Sequence, residues 1–296
     1  MLNYKRMKKY ILLVSAAISL AACNSEDNYI DEPVAAQISA TIGQSVVARA
    51  TNEQWAGGDE IGITMGNLYT NRKYTTVSGN GVFTGTPMYF RNKQDKLTVS
   101  AYYPYTGAEG ASAPIVEAST ASGRQTSAEQ PKFDFLYASL DNVTGAAPNI
   151  NFAFKHQMSK LTLVFVNGND GTDVSKITSC EISGFFLRGT FNPVTGECDE
   201  LNSIPASTLN ITPTVQNGVA IPPIILFPQA VKKVTMKIHD SEQQDYACEL
   251  NIGDDGLVSG NNGKFTITVK KTSLSVNSSI VNWKTSELES GASSED

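Results

Sequence analysis

Ile150-Asn151-Phe152-Ala153-Phe154-Lys155-His156-Gln157-Met158-Ser159-Lys160-Leu161-Thr162-Leu163-Val164-Phe165 is the stretch that decides the fold. Ile150, Phe152 and Phe154 occupy alternate positions, and so do Leu161, Leu163 and Phe165. Successive side chains of a strand point to opposite faces, so each run buries one face and leaves the other to solvent. Two amphipathic strands with a short polar connection are therefore expected.

The same period of two recurs on both sides. Gln37-Ile38-Ser39-Ala40-Thr41-Ile42 alternates, as does Leu97-Thr98-Val99-Ser100-Ala101-Tyr102-Tyr103. Val234, Met236 and Ile238 form an inward face. Asp240-Ser241-Glu242-Gln243 follows, and Tyr246, Cys248 and Leu250 then alternate again, which predicts a hairpin. Phe265, Ile267 and Val269 mark a strand near the end. Turn clusters such as Gly79-Asn80-Gly81, Asn192-Pro193 and Asn261-Asn262-Gly263 bound these runs. No long stretch places apolar residues at helical spacing. Many short antiparallel strands with one buried face predict an all-β protein of β-sandwich domains. Asn167 to Asp173 is rich in Gly, Asn and Asp and follows a strong strand, so the division between domains is expected there, giving 36–168 and 169–288. Pro104 to Gln130 is Ala/Ser/Gly-rich and aperiodic, and reads as a long surface loop. Residues 289–296 read as a disordered tail.

The chain opens on an export signal. Two lysines lie within Met7 to Tyr10, and Ile11 to Leu20 is an apolar run of about ten residues, the length of a signal-peptide core and too short to cross a bilayer. Leu20-Ala21-Ala22-Cys23 then gives a lipoprotein peptidase its small residues and places a cysteine to receive lipid. Residues 1–22 are expected to be removed, Cys23 to be acylated, and residues 23–35 to serve as tether, with acidic Glu26 and Asp27 resembling a surface-export signal. Two or three acyl chains hold a protein stably to a membrane.

Formal net charge is −6, and removing residues 1–22, with four basic and no acidic side chains, takes it to −10. An acidic body argues against nucleic acid or anionic lipid as a partner. Cys180, Cys198 and Cys248 cannot all pair. A single bond, Cys180 to Cys198 or Cys198 to Cys248, competes with the plainer reading of small buried thiols on strands. With two histidines in the chain and no Cys-x-x-Cys, metal-ligand spacing is absent.

Catalytic patterns are missing too. The chain has no Gly-x-Ser-x-Gly elbow, phosphate-binding loop or zinc-protease motif. His156 between two strands reads as a hydrogen-bonded structural residue more than as a base. Asp59-Glu60 and Asp254-Asp255 are sequence neighbours, which on a strand point apart and cannot flank a glycosidic bond. Asn251 to Asn262 lacks the acidic twelfth ligand of a calcium loop. Neither enzymatic activity nor a cofactor is expected.

Six short segments, in order, resemble the fimbrillin-like proteins of Gram-negative gut and oral bacteria. Trp55-Ala56-Gly57-Gly58-Asp59-Glu60-Ile61-Gly62-Ile63 is similar to their Trp, Gly-Asp, Ile-Gly signature, and Ala101-Tyr102-Tyr103-Pro104-Tyr105 to the second segment. Asp134-Phe135-Leu136-Tyr137-Ala138 is similar to the third, and Phe154 to Leu161 to the fourth. Leu226-Phe227-Pro228-Gln229 and Gly263-Lys264-Phe265-Thr266-Ile267 resemble the fifth and sixth. The resemblance implies two transthyretin-like β-sandwich domains and a type V pilus subunit at the outer membrane and cell surface. Such a subunit is exported as a lipoprotein, trimmed by an Arg-specific protease and assembled by strand exchange. By position, Arg49 matches the processing site and Ala50 the new N-terminus. The implied partners are other pilus subunits, the lipid on Cys23 before processing, and a host or bacterial surface ligand. Thr272 to Leu288 is the candidate donor strand; the alternative makes Leu274 to Trp283 the last strand of its own domain. A second reading of the whole is a permanently anchored lipoprotein that binds glycan or protein through the 104–130 loop, beside Tyr102, Tyr103 and Tyr105.

Overall fold

The computed structural model describes residues 33–43, 54–169, 172–212, 214–216, 218–242, 245–271 and 273–283. The signal segment, Cys23, Arg49, Ala50 and the 289–296 tail lie outside the described residues. The described chain is all-β, as expected; its only helices are three single 3₁₀ turns.

The N-terminal half is built from β1 (Gln37–Ile42), β2 (Glu60–Met65), β3 (Tyr69–Thr75), β4 (Val82–Gly85), β5 (Leu97–Tyr103), β6 (Leu136–Val143) and β7 (Asn149–His156). They run in the order β7-β1-β4-β3-β2-β5-β6, and β6 returns to β7 to close the sheet. Alternation does the folding here: β7 reads exposed, buried through all eight residues. Phe152 and Phe154 reach the same core as Ile61, Ile63, Phe83 and Trp55.

The C-terminal half is a two-sheet sandwich. One sheet contains β8 (Ser159–Asn167), β13 (Asn261–Lys270) and β14 (Ser273–Asn282), with Ile224–Leu226 and Val219–Ile221 pairing to β8. The other runs β10 (Ser207–Ile211), β9 (Ile177–Phe185), β11 (Lys233–Asp240), β12 (Asp245–Asn251). Leu163 and Phe265 from one sheet meet Ile182, Met236 and Leu250 from the other in a single core. The expected β11–β12 hairpin is present, in register from Lys233↔Asn251 to His239↔Asp245.

Two expectations change. Sequence position puts β8 in the N-terminal half, but it pairs in parallel with β13 over Lys160↔Asn262 to Asn167↔Val269 and packs in the second core. The chain therefore passes between cores at Gln157–Met158, and not after Asn167. Nor is 104–130 a free loop. Val116–Ser119 pairs antiparallel with Arg188–Phe191 of the other half. Buried Gln125 donates from Nε2 to Thr120 O and Ile225 O at 2.8 Å and accepts from Ile225 N at 3.0 Å. Gln130 donates to Gln125 Oε1 at 3.1 Å. These amides do the pairing that a ladder would do, because buried backbone groups need partners. A third cluster, with Tyr102, Phe135, Phe191 and Phe227, packs where the halves meet; Phe135 and Phe191 stack at 4.5 Å.

Among the described residues Cys180, Cys198 and Cys248 are free thiols. Burial pushes the Cys180 thiol up to about 12 and that of Cys248 up to about 11. Thiolate is the reactive form. Native protein at pH 8 should therefore leave Cys180 unlabelled by a maleimide, while denatured protein labels at all three; full labelling of native Cys180 would show that its site opens.

Candidate functional site

The family-like segments turn out to be structural parts. Trp55 packs edge-on against Phe83, Phe154 and Tyr103, with centroids at 5.0, 5.3 and 5.5 Å. Its indole Nε1–H donates to Ala40 O of β1 at 2.9 Å. Asp59 Oδ2 accepts from Ala56 N at 2.7 Å and Oδ1 from the Tyr103 hydroxyl at 3.2 Å. A Cβ on Gly62 would stand 2.3 Å from the Tyr102 ring, so only glycine permits that approach. Tyr102 is buried and its hydroxyl donates to Asn71 Oδ1 at 2.7 Å, which removes it, with half-buried Tyr103, from any exposed aromatic platform. Gln229 is buried, donating to Phe186 O and Phe227 O at 3.1 Å.

Two strands stand apart from this scaffold. β1 lies inside its sheet. It pairs in parallel with β7 over Gln37↔Asn149 to Ile42↔Phe154, and antiparallel with β4 only at Ile38↔Phe83 and Ser39↔Val82. Ile38, Ala40 and Ile42 are buried, as expected, and Ala36 also packs on the core. The regular strand ends at Ile42; residues 44–53 are outside the described set. Where β1 and β4 part, a groove of about 550 Å³ opens beside the strand, lined by Ala36, Ile38, Tyr74, Phe83 and Pro87 among others. Burying two isoleucines is worth about 3–6 kcal/mol. Withdrawing β1 would leave an apolar slot with open edges on both sides.

The other strand is β14. Among the described residues it pairs only with β13, through Lys270↔Ser273 to Asn261↔Asn282, and forms the edge of its sheet. Leu274 and Val276 are half-buried and Ile280 is 54% exposed. In this chain β14 thus serves as the last strand of its own domain.

The ends of these two strands meet. A cleft of about 290 Å³ is lined by Gly43, just past β1, and by Trp283, just past β14, with Lys155, His156, Gln157 and Ser259–Asn261 between. Gly43 N donates to Phe154 O at 2.9 Å and Trp283 N to Gly260 O at 2.7 Å. The His156 and Trp283 rings are stacked, 3.8 Å between centroids and 3° between planes. On its Nδ1 side His156 meets Asp134 Oδ1 at 2.8 Å, with both residues buried. His156 Nε2 and Trp283 Nε1 are buried without a hydrogen-bond partner among the described residues. Stacking adds about 0.5–1.5 kcal/mol beyond burial, whereas each buried polar group left unpaired costs about 1–3 kcal/mol. The two nitrogens offset the stack, so Trp283 is held by the burial of its ring.

This arrangement does not make a catalytic triad. A base needs a nucleophile within hydrogen-bond reach. The nearby Ser259 hydroxyl lies against His156 O and Gln157 Oε1, each at 3.4 Å, and the imidazole Nε2 has no partner among the described residues. Among the described residues no three His, Cys, Asp or Glu side chains are placed to hold a metal. The sequence singles out the segments containing Asp134 and His156 but not their pairing, and both of its readings of the C-terminal stretch, donor strand or last strand of the domain, place Trp283 in a strand rather than in a stack.

A fimbrillin-like family model matches residues 48–283. A proposed fimbrium subunit of Bacteroides uniformis, Fim1C, is 27% identical over 302 residues, spanning 94% of this chain and 96% of that protein. A crystal structure of a proposed cell adhesion protein from Bacteroides ovatus superposes with a TM-score of 0.71 at 25% identity, covering 86% of this chain and 99% of the other. Another, from Bacteroides uniformis, gives 0.67 at 26%, covering 85% and 99%. The tip fimbrial protein Mfa3 of Porphyromonas gingivalis, with its C-terminus truncated, shares the fold at a TM-score of 0.54 and 7% identity, covering 85% and 100%.

Proposed function

This chain belongs to the fimbrillin-like family, and we propose that it is a structural and adhesive subunit of a type V pilus, exported as a lipoprotein on Cys23, cut after Arg49 and assembled with other pilus subunits by strand exchange. Its fimbrial character rests on the family match and on the fimbrial and adhesion names of its relatives. One observation carries the strand-exchange part. β1 is an interior strand that plugs the core with Ile38, Ala40 and Ile42, and in sequence it is joined to Trp55 by the segment containing Arg49. A cut there turns a piece of the fold into a separable ligand, and the slot it leaves can take an extended segment by main-chain pairing.

The N-terminus of protein sheared from cells tests this directly. Sequencing should start at Ala50, while unprocessed protein incorporates labelled palmitate and the Cys23→Ser variant does not. Surface protein that keeps acylated Cys23 throughout would instead favour an anchored lipoprotein.

A further inference from the structure

We infer that Trp283, stacked on His156, is a latch on the last strand: closed in the free chain, and able to open without unfolding either half. The inference deepens the strand-exchange reading, because a strand that leaves its own domain needs a seat that holds it and yet releases it.

Four observations meet on this point. Among the described residues β14 has a partner on one side only, and its side chains from Ser273 to Ile280 are half-buried or exposed. Trp283, immediately after the strand, is 5% exposed and sits among Phe135, Met158 and Phe227 of the third cluster. Among the side chains described from Ser273 onward, Trp283 is the one that is fully buried. The closed stack also shuts away His156 Nε2 and Trp283 Nε1 without partners among the described residues. Opening lets water reach both nitrogens, so the closed state contains a term that favours its own release. Finally, the ring beneath Trp283 does not depend on it: Asp134 holds His156 from the other side, and β7 holds it by backbone pairing to Leu136. The half that receives the ring stays ordered when the ring leaves, which distinguishes a latch from a core residue.

Local opening of this kind is read by hydrogen exchange. In the full chain, amides of 273–283 should exchange at least about tenfold faster than those of 161–165 in β8. Trp283→Leu removes the stacked ring and should speed exchange of 273–283 by about tenfold more, with β7 and β8 unchanged. Trp283→Phe keeps a ring over His156 and removes the unpartnered N–H, so exchange of 273–283 should stay as in the parent or slow. Equal acceleration by Leu and Phe would reduce Trp283 to a packing residue and overturn the latch, as would acceleration spread across β7 and β8. Ladder formation by the same variants reads the assembly role separately. A Phe variant with slowed exchange and unchanged laddering would keep the latch and detach it from assembly; a variant series with no laddering at all would sink strand exchange alone.

Discussion

Arg49→Ala should remain monomeric under an Arg-specific protease while the parent protein forms ladders. Before any cut, β1 is covalently part of the chain that it plugs, and a tethered ligand sees its site at an effective concentration of millimolar or higher. About 3–6 kcal/mol from its two isoleucines, with about 1 kcal/mol for each ladder bond, then keeps the slot filled. After a cut the same contacts must hold a diffusible peptide. The Trp55 Nε1–H bond to Ala40 O and the six parallel pairs with β7 slow its departure, but they do not prevent exchange with a competing strand. Denaturing electrophoresis and N-terminal sequencing read both steps. Parent protein that is cut to begin at Ala50, retains residues 24–49 bound, and never assembles with any pilus protein would refute strand replacement.

A protein ending at Lys271 should stay folded and lose the ability to form ladders. The truncation removes β14 and Trp283 but leaves both sheets of the C-terminal core, since Phe265, Ile267 and Val269 face β9 and β11 residues across the sandwich. The stability loss should be modest, about 1–3 kcal/mol, because ring burial at Trp283 is offset by its indole N–H, which has no partner among the described residues, and the lost ladder to β13 is offset by the ordering entropy regained over residues 273–282. For a chain of this size that lowers the melting temperature by roughly 2–12 °C. Circular dichroism and laddering are the measurements. An unfolded truncation would assign β14 to the core, and a folded one that still ladders would exclude it as donor.

Much of this was legible beforehand, and the reason is specific. Ile38, Phe152, Leu163, Met236 and Phe265 sit in strands with one solvent face, where alternation alone names the buried residues. Alternation says which face is buried but not against what. Leu161, Leu163 and Phe165 read the same in either core, so β8 was placed with the wrong neighbours. Segment 104–130 was opaque because Gln125 and Gln130 fix it by side-chain amides to distant backbone, which leaves no periodic trace. The pairing of Asp134 with His156 spans 22 residues and the stack on Trp283 joins the ends of two strands far apart in sequence; neither has a local signature. A buried carboxylate among aromatics, as in Phe133-Asp134-Phe135, was the one available hint that a cationic or N–H partner waited elsewhere.

The placement of β1 has one more consequence. Its neighbours β7 and β4 run in opposite directions, since β1 is parallel to one and antiparallel to the other. Any strand entering that slot meets one parallel and one antiparallel companion whichever end leads. The resident polarity puts the parallel contact on the long side, against β7, and parallel ladders are slightly the weaker per residue. A newcomer inserted head-for-tail would put its antiparallel contact there instead. Backbone pairing therefore does not enforce the original heading and mildly favours its reverse, so the order of large and small side chains must decide which way a replacement points.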